Sequence, residues 1–184
     1  MKSRYLIGVI ILLGIINLLL LHKNYILREQ IKKEIDVLIN PSLQIEWIPN
    51  FELYDLNMVR YNSEEISRNS PYTLLVFFSP IDCAPCLEEK DLWKRISEEG
   101  KVKIVGIGRH IDMKELRDWV ENSEIFFPVL YDIESKVTKK FGISKTPLKI
   151  LINNKGKIIL IDRVRITSSE QEEFIEILYE ITKN

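Results

Sequence analysis

Cys83 and Cys86 are the only thiols in a chain of 184 residues, and two residues separate them. They close the stretch Ser79-Pro80-Ile81-Asp82-Cys83-Ala84-Pro85-Cys86. An apolar run, Tyr72 to Phe78, precedes it and reads as a buried strand. Leu87 to Ile96 follows and reads as a helix. A thiolate, not a thiol, attacks a disulfide, so a reactive cysteine must lose its proton easily and stay reachable. The N-terminus of a helix favours an anion through its unpaired N–H groups and its dipole. Cys83 falls there, with Pro85 just inside the first turn, where a missing N–H is no loss. Cys86 lies about one turn further on the same face. This arrangement predicts thiol–disulfide exchange, with Cys83 as attacking nucleophile and Cys86 as resolving thiol. Two thiolates also suit a soft metal such as Cu(I). His110 is then the one candidate third ligand within the domain, although a polar loop residue is the plainer reading of it.

Two further features bear on the pair. Glu89 follows Cys86 by three residues and shares its helix face. A buried carboxylate there can exchange a proton with Cys86, whereas on spacing alone Glu88 and Glu89 both read as solvated helix charges. Thr146-Pro147 stands directly before an apolar strand pattern at Leu148. A cis proline there would leave the Thr146 backbone available to an extended substrate; an ordinary trans proline in a loop is the simpler reading.

The elements that must hold these residues alternate from Leu43 onward. Leu43–Ile48 and Phe51–Leu56 read as strands, and Glu64–Arg68 as a short helix. The Tyr72–Phe78 strand leads into a helix from Cys83 to about Glu99, stopped at Gly100. Then follow a strand at Val102–Ile107, a helix at Asp112–Glu121 capped by Asp112, and a short strand at Phe126–Leu130 whose Pro128 suits a sheet edge. A helix spans Ile133–Phe141, closed by Gly142. Leu148–Ile152 and Lys157–Ile161 form a hairpin around Asn153-Asn154-Lys155-Gly156. Ser168 or Ser169 caps a last helix that runs to about Thr182. Crossovers followed by one hairpin give an α/β sandwich on a central mixed sheet.

Composition narrows the classes. With 46% hydrophobic and 29% charged residues, a packed core and a solvated surface are both available. A net charge of -1 gives no basis for nucleic-acid binding. Two cysteines are too few for a disulfide-stapled mini-fold, a four-cysteine zinc site or an iron–sulfur cluster, and no cofactor is expected. Tyr5 to Leu21 is apolar apart from Tyr5 and Asn17, at the short end for a membrane helix. Ala84 is the only alanine, so a small-residue cleavage site after the apolar run is lacking. The chain therefore reads as an uncleaved signal anchor over 1–22, a helical stalk over 23–42 and one domain over 43–184. Basic residues flank the span on both sides, and the redox chemistry favours an extracytoplasmic domain.

With these residues in place, the chain resembles the membrane-anchored thioredoxin-fold proteins of the TlpA/ResA type, within the redoxin group. The likeness covers about Phe51 to the C-terminus. It rests on Phe51–Leu56, Leu74–Leu92 with Cys83-Ala84-Pro85-Cys86, Phe127–Asp132, and Phe141-Gly142-Ile143 through Thr146-Pro147 to Lys155-Gly156-Lys157. The resemblance implies a thioredoxin-like fold, a cis bond at Pro147 and an enzyme that exchanges disulfides, as a reductase of protein disulfides fed by a membrane thiol donor. It assigns a proton-relay role to Glu89 and substrate contact to Thr146 and Pro147. Departures are Asp82, where an aromatic residue usually precedes the first cysteine; Phe77, where thioredoxins proper carry a buried acid; and Leu148, where threonine commonly follows the proline. Pro80 stands where a peroxiredoxin needs threonine or serine. A metal carrier and a non-catalytic assembly factor are the competing functions for such a domain.

Overall fold

A computed structural model describes residues 45–81, 83–109 and 112–183, together with 14, 16–18 and 20–23. The chain divides into two compact units, Met1–Pro41 and Ser42–Asn184. In the first, the described residues are helical. Most of the expected span Tyr5–Leu21 and, apart from Lys23, all of the expected stalk over 23–42 lie outside the described residues. No helix among the described residues is long and apolar enough to cross a membrane.

The second unit is built on one seven-stranded mixed sheet. Its strands are β1 (Glu52–Asp55), β2 (Arg60–Asn62), β3 (Tyr72–Phe78), β4 (Lys103–Arg109), β5 (Val129–Asp132), β6 (Leu148–Asn153) and β7 (Ile158–Asp162). They lie in the order β2-β1-β5-β4-β3-β6-β7. The helices are α1 (Ser63–Arg68), α2 (Ala84–Glu99), α3 (Met113–Asn122), α4 (Lys136–Lys140) and α5 (Ser168–Thr182). β3, β4 and β5 run parallel, whereas β6 is antiparallel to β3 and pairs with β7 as the hairpin.

Alternation along β3 sorts the helices between the two faces, because successive strand residues point to opposite sides. Thr73 and Phe77 point to one face. There the Thr73 hydroxyl donates to the Ile66 carbonyl of α1, and the Phe77 ring meets Phe141 after α4. Phe78 points to the other, where its ring lies against Trp93 of α2 and Trp119 of α3. α2 also packs on α5. The right-handed crossovers β3-α2-β4 and β4-α3-β5 move along the sheet in one direction, which puts both helices on the same face. Leu74 to Phe78 are essentially without solvent access, as a strand covered on both faces must be.

Four expectations need correction. Phe126–Leu130 is not an edge strand: β5 begins at Val129 and lies between β1 and β4. Pro128 precedes it and contributes a carbonyl, which accepts from Gly106 N at 2.9 Å, so no proline N–H is missed. Ile133–Phe141 is not one helix. Ile133–Ser135 is a separate 3-10 turn, and Glu134 and Ser135 have positive φ before α4 begins. The strand expected at Leu43–Ile48 is reduced, among the described residues, to a single bridge from Trp47 to Lys157. The first cap of α5 is Thr167 rather than a serine, and it forms a capping box with Glu170.

Candidate redox site

The two cysteines stand where β3 ends and α2 begins. Cys83 is the N-cap of α2 and carries no side-chain capping hydrogen bond; the first turn holds Pro85 and no acidic residue. Cys83 therefore stands at the positive end of the dipole of a 16-residue helix, without a competing carboxylate in the first turn. Cys86 N donates to the Cys83 carbonyl at 3.0 Å, which closes the turn. Cys83 and Cys86 are joined as a disulfide, with Cα atoms 5.2 Å apart. Cys83 retains 2% exposure and Cys86 none. Ile81 and Leu87, beside them, are exposed. Asp82 and His110 lie outside the described residues.

The register of the sheet brings the second turn to the first. Phe77 at the end of β3 pairs with Leu148 at the start of β6. Thr146-Pro147 therefore stands at the same end of the sheet as the cysteine turn. The Thr146–Pro147 peptide is cis. Pro147 is buried and Thr146 half-buried.

Glu89 is not a solvated charge. It is wholly buried, whereas Glu88 is exposed. One carboxylate oxygen accepts from Lys149 Nζ at 2.6 Å and from the backbone N–H of Arg165; the other accepts from Trp93 Nε1 at 3.2 Å. Burial pushes the Glu89 carboxyl above the usual carboxylate range, and Lys149, the Arg165 N–H and Trp93 pull it part of the way back.

Lys149, Asp162 and Arg165 are the residues that sequence reasoning missed. Lys149 is wholly buried and donates to the Arg163 carbonyl as well as to Glu89. Its Nζ lies 3.1 Å from Asp162 Oδ2, an ion pair without hydrogen-bond geometry. Asp162 Oδ1 accepts from the Arg165 guanidinium at 2.7 and 3.0 Å. Val76 of β3, Lys149 of β6 and Asp162 of β7 are successive cross-strand partners, so the three side chains share the face under α2. A signal was available. Lys149 interrupts a run, Leu148–Ile152, that must be covered on both faces, and a lysine so placed requires a buried carboxylate.

The site's geometry can be set beside known proteins. The model of the AhpC/TSA family matches residues 46–161. The chain belongs to the AhpC/TSA family. Among its relatives, the thiol-disulfide oxidoreductase ResA of Bacillus thuringiensis subsp. konkukian is 25% identical over 181 residues, 95% of this chain and 96% of that one. Of solved structures, a thiol-disulfide oxidoreductase from Bacteroides fragilis superposes with a TM-score of 0.60 at 23% identity, covering 72% of this chain and 98% of its own. StoA from Bacillus subtilis gives 0.58 at 18%, covering 71% and 99%. The fold is thioredoxin-like, as expected from the order of its elements, and the chain is a redoxin of the TlpA/ResA type. Its activity is thiol–disulfide exchange, and Cys83-Ala84-Pro85-Cys86 is its Cys-x-x-Cys pair.

Proposed function

We propose that the domain is a membrane-tethered, extracytoplasmic reductase of protein disulfides. Cys83, as thiolate, attacks a substrate disulfide; one substrate sulfur leaves as a thiolate and Cys83 becomes part of a mixed disulfide. Glu89 accepts the proton of Cys86. The Cys86 thiolate then attacks the Cys83 sulfur, releases the second substrate sulfur, and leaves the Cys83–Cys86 disulfide. Two electrons pass from the dithiol to the substrate, and a membrane thiol donor returns them. Thr146 offers its backbone to an extended substrate segment, and Pro147 lines the contact.

The observation that carries this reading is the asymmetry of the pair. Cys83 sits at the helix N-terminus with the residual exposure, while Cys86 is sealed and stands one turn before a buried carboxylate. The tether is supported by the sequence of Tyr5–Leu21 and by the described helical positions Ile16, Leu18, Leu20 and Leu21, all of which expose apolar side chains. A bilayer would cover them.

The Cys86→Ser variant tests the division of labour. It is expected to accumulate covalent partners through Cys83 that reductant releases. Trapping by Cys83→Ser alone would reverse the two roles. Alkylation of the pair in cells reads the direction of electron flow: a mostly reduced pair fits a reductase, and a mostly oxidised pair an oxidase.

A further inference from the structure

The proton-relay reading leaves open what prepares Glu89 for it. A carboxylate with no solvent access is normally driven to its neutral form, and a neutral acid cannot take the proton of Cys86. The groups that face Glu89 come from every element around it. α2 itself contributes Cys86 one turn before and Trp93 one turn after. β6 contributes Lys149, and β7 contributes Asp162 behind Lys149. The segment after β7 contributes the Arg165 backbone N–H. The guanidinium of Arg165 turns away to Asp162 and to Glu173 of α5, at 3.1 Å from the latter. α5 also brings Phe174, whose ring centroid is 5.1 Å from Lys149 Nζ, and the neutral Gln171, which donates to the carbonyls of Arg165 and Glu88.

The two carboxylates are not equal partners of the ammonium. Lys149 hydrogen-bonds to Glu89 and to the Arg163 carbonyl, and lies near Asp162 without donating to it. Asp162 has its own cation in Arg165. Glu89 therefore depends on Lys149 for its counter-charge, while Asp162 balances the charge that Lys149 would otherwise bring in.

We propose that Lys149 is a positioning residue for the redox reaction: it holds Glu89 as a carboxylate one turn beyond Cys86, and Asp162 sets how strongly it does so. This rests on Glu89 acting as the proton acceptor. The base that results is tuned from two sides. Lys149 favours the charged form, and burial together with the negative charge of Asp162 favours the neutral one. Glu89 can then take the proton of Cys86 during resolution and give it up afterwards.

The test uses the full chain in its reduced form and dithio-bis-nitrobenzoate as the substrate disulfide. Attack by Cys83 releases one coloured nitrothiolate, and resolution by Cys86 releases the second. The rate of the second release is followed against pH. Lys149→Met is expected to move the midpoint of that profile upward by about one pH unit or more, the scale on which an adjacent opposite charge acts. Asp162→Asn is expected to move it downward, since it removes the charge that opposes Glu89 ionisation. Should Lys149→Met not fold, the sign of the Asp162→Asn shift still decides whether the charges around Glu89 set its ionisation as proposed. An unmoved midpoint in Asp162→Asn, or a Lys149→Met midpoint at or below that of the wild type, makes Lys149 a packing residue only and overturns the proposal. Glu89→Gln separates the relay from its tuning by Lys149. A Glu89→Gln profile identical to the wild type refutes the relay itself, whereas a lost midpoint there with an unmoved one in Asp162→Asn refutes only the role of Lys149.

Discussion

Replacing Lys149 by methionine should convert a buried ion pair into a pH-dependent instability. Methionine keeps most of the apolar stem and removes the ammonium, which lies 2.6 Å from Glu89 Oε1 and 3.1 Å from Asp162 Oδ2. Asp162 keeps Arg165. Glu89 keeps Trp93 and the Arg165 N–H but loses the one cation paired with it among the described residues. Breaking one side of a buried pair costs about 3–5 kcal/mol. Protonation of Glu89 limits that cost: from an ordinary value of 4.5, neutralising it at about pH 7 takes roughly 2.5 units at ~1.36 kcal/mol each, or about 3.4 kcal/mol. Burial already raises Glu89 in the wild type, so part of this penalty is present before the substitution. The variant should therefore be about 2–3 kcal/mol less stable than wild type near neutrality. Because its folded-state carboxyl titrates further above the unfolded value, the native variant binds the proton more tightly than the unfolded chain does. Its stability is then complete below about pH 4.5 and is lost as pH rises through the folded value. Urea denaturation of the oxidised proteins across this range, with the wild-type curve subtracted, measures the effect. A difference that stays constant with pH, or one below about 0.5 kcal/mol near neutrality, would refute the reasoning.

Two other substitutions probe the frame that carries the site. In Gly108→Ala, the new Cβ would lie 2.7 and 2.9 Å from the two methyl carbons of Leu116, which is fully buried and has nowhere to retreat. A loss of about 1–3 kcal/mol in the urea midpoint at unchanged slope is expected, and an unchanged midpoint would show that α3 lifts off the sheet at no cost. In Asp132→Ala, the N–H groups of Val137 and Thr138, each donating at 2.8 Å to Asp132, lose their acceptors, as does the Thr138 hydroxyl at 2.6 Å. A destabilisation of about 1–3 kcal/mol, with faster amide exchange confined to the start of α4, should follow; exchange as slow as in the wild type would contradict it.

Local chemistry written in consecutive residues was legible without coordinates. The helix starting at Cys83 and ending at Gly100, the Asp112 cap and the hairpin around Gly156 all came from signals within a few residues of one another, and all are present. The place of β5 was not legible. A proline before a strand looks the same in sequence whether the strand lies at an edge or in the interior, and only the neighbours β1 and β4 distinguish the two. β2 was missed because three residues, Arg60-Tyr61-Asn62, hold no pattern of their own and form a strand only against β1.

The candidate site divides along the same line. The spacing of Cys83 and Cys86 at a strand-to-helix turn determined the redox pair, because a helix N-terminus is a local object and its dipole acts on whatever residue stands there. The spacing of Glu89 from Cys86 put both on one helix face, but not whether that face met water or protein. Tertiary structure decided this. α2 lies over the row Val76, Lys149 and Asp162, and the face is buried against a lysine 60 residues away in the chain. The ionisation of Glu89 depends on that contact, since burial and an opposing charge both arise from segments that only folding brings together.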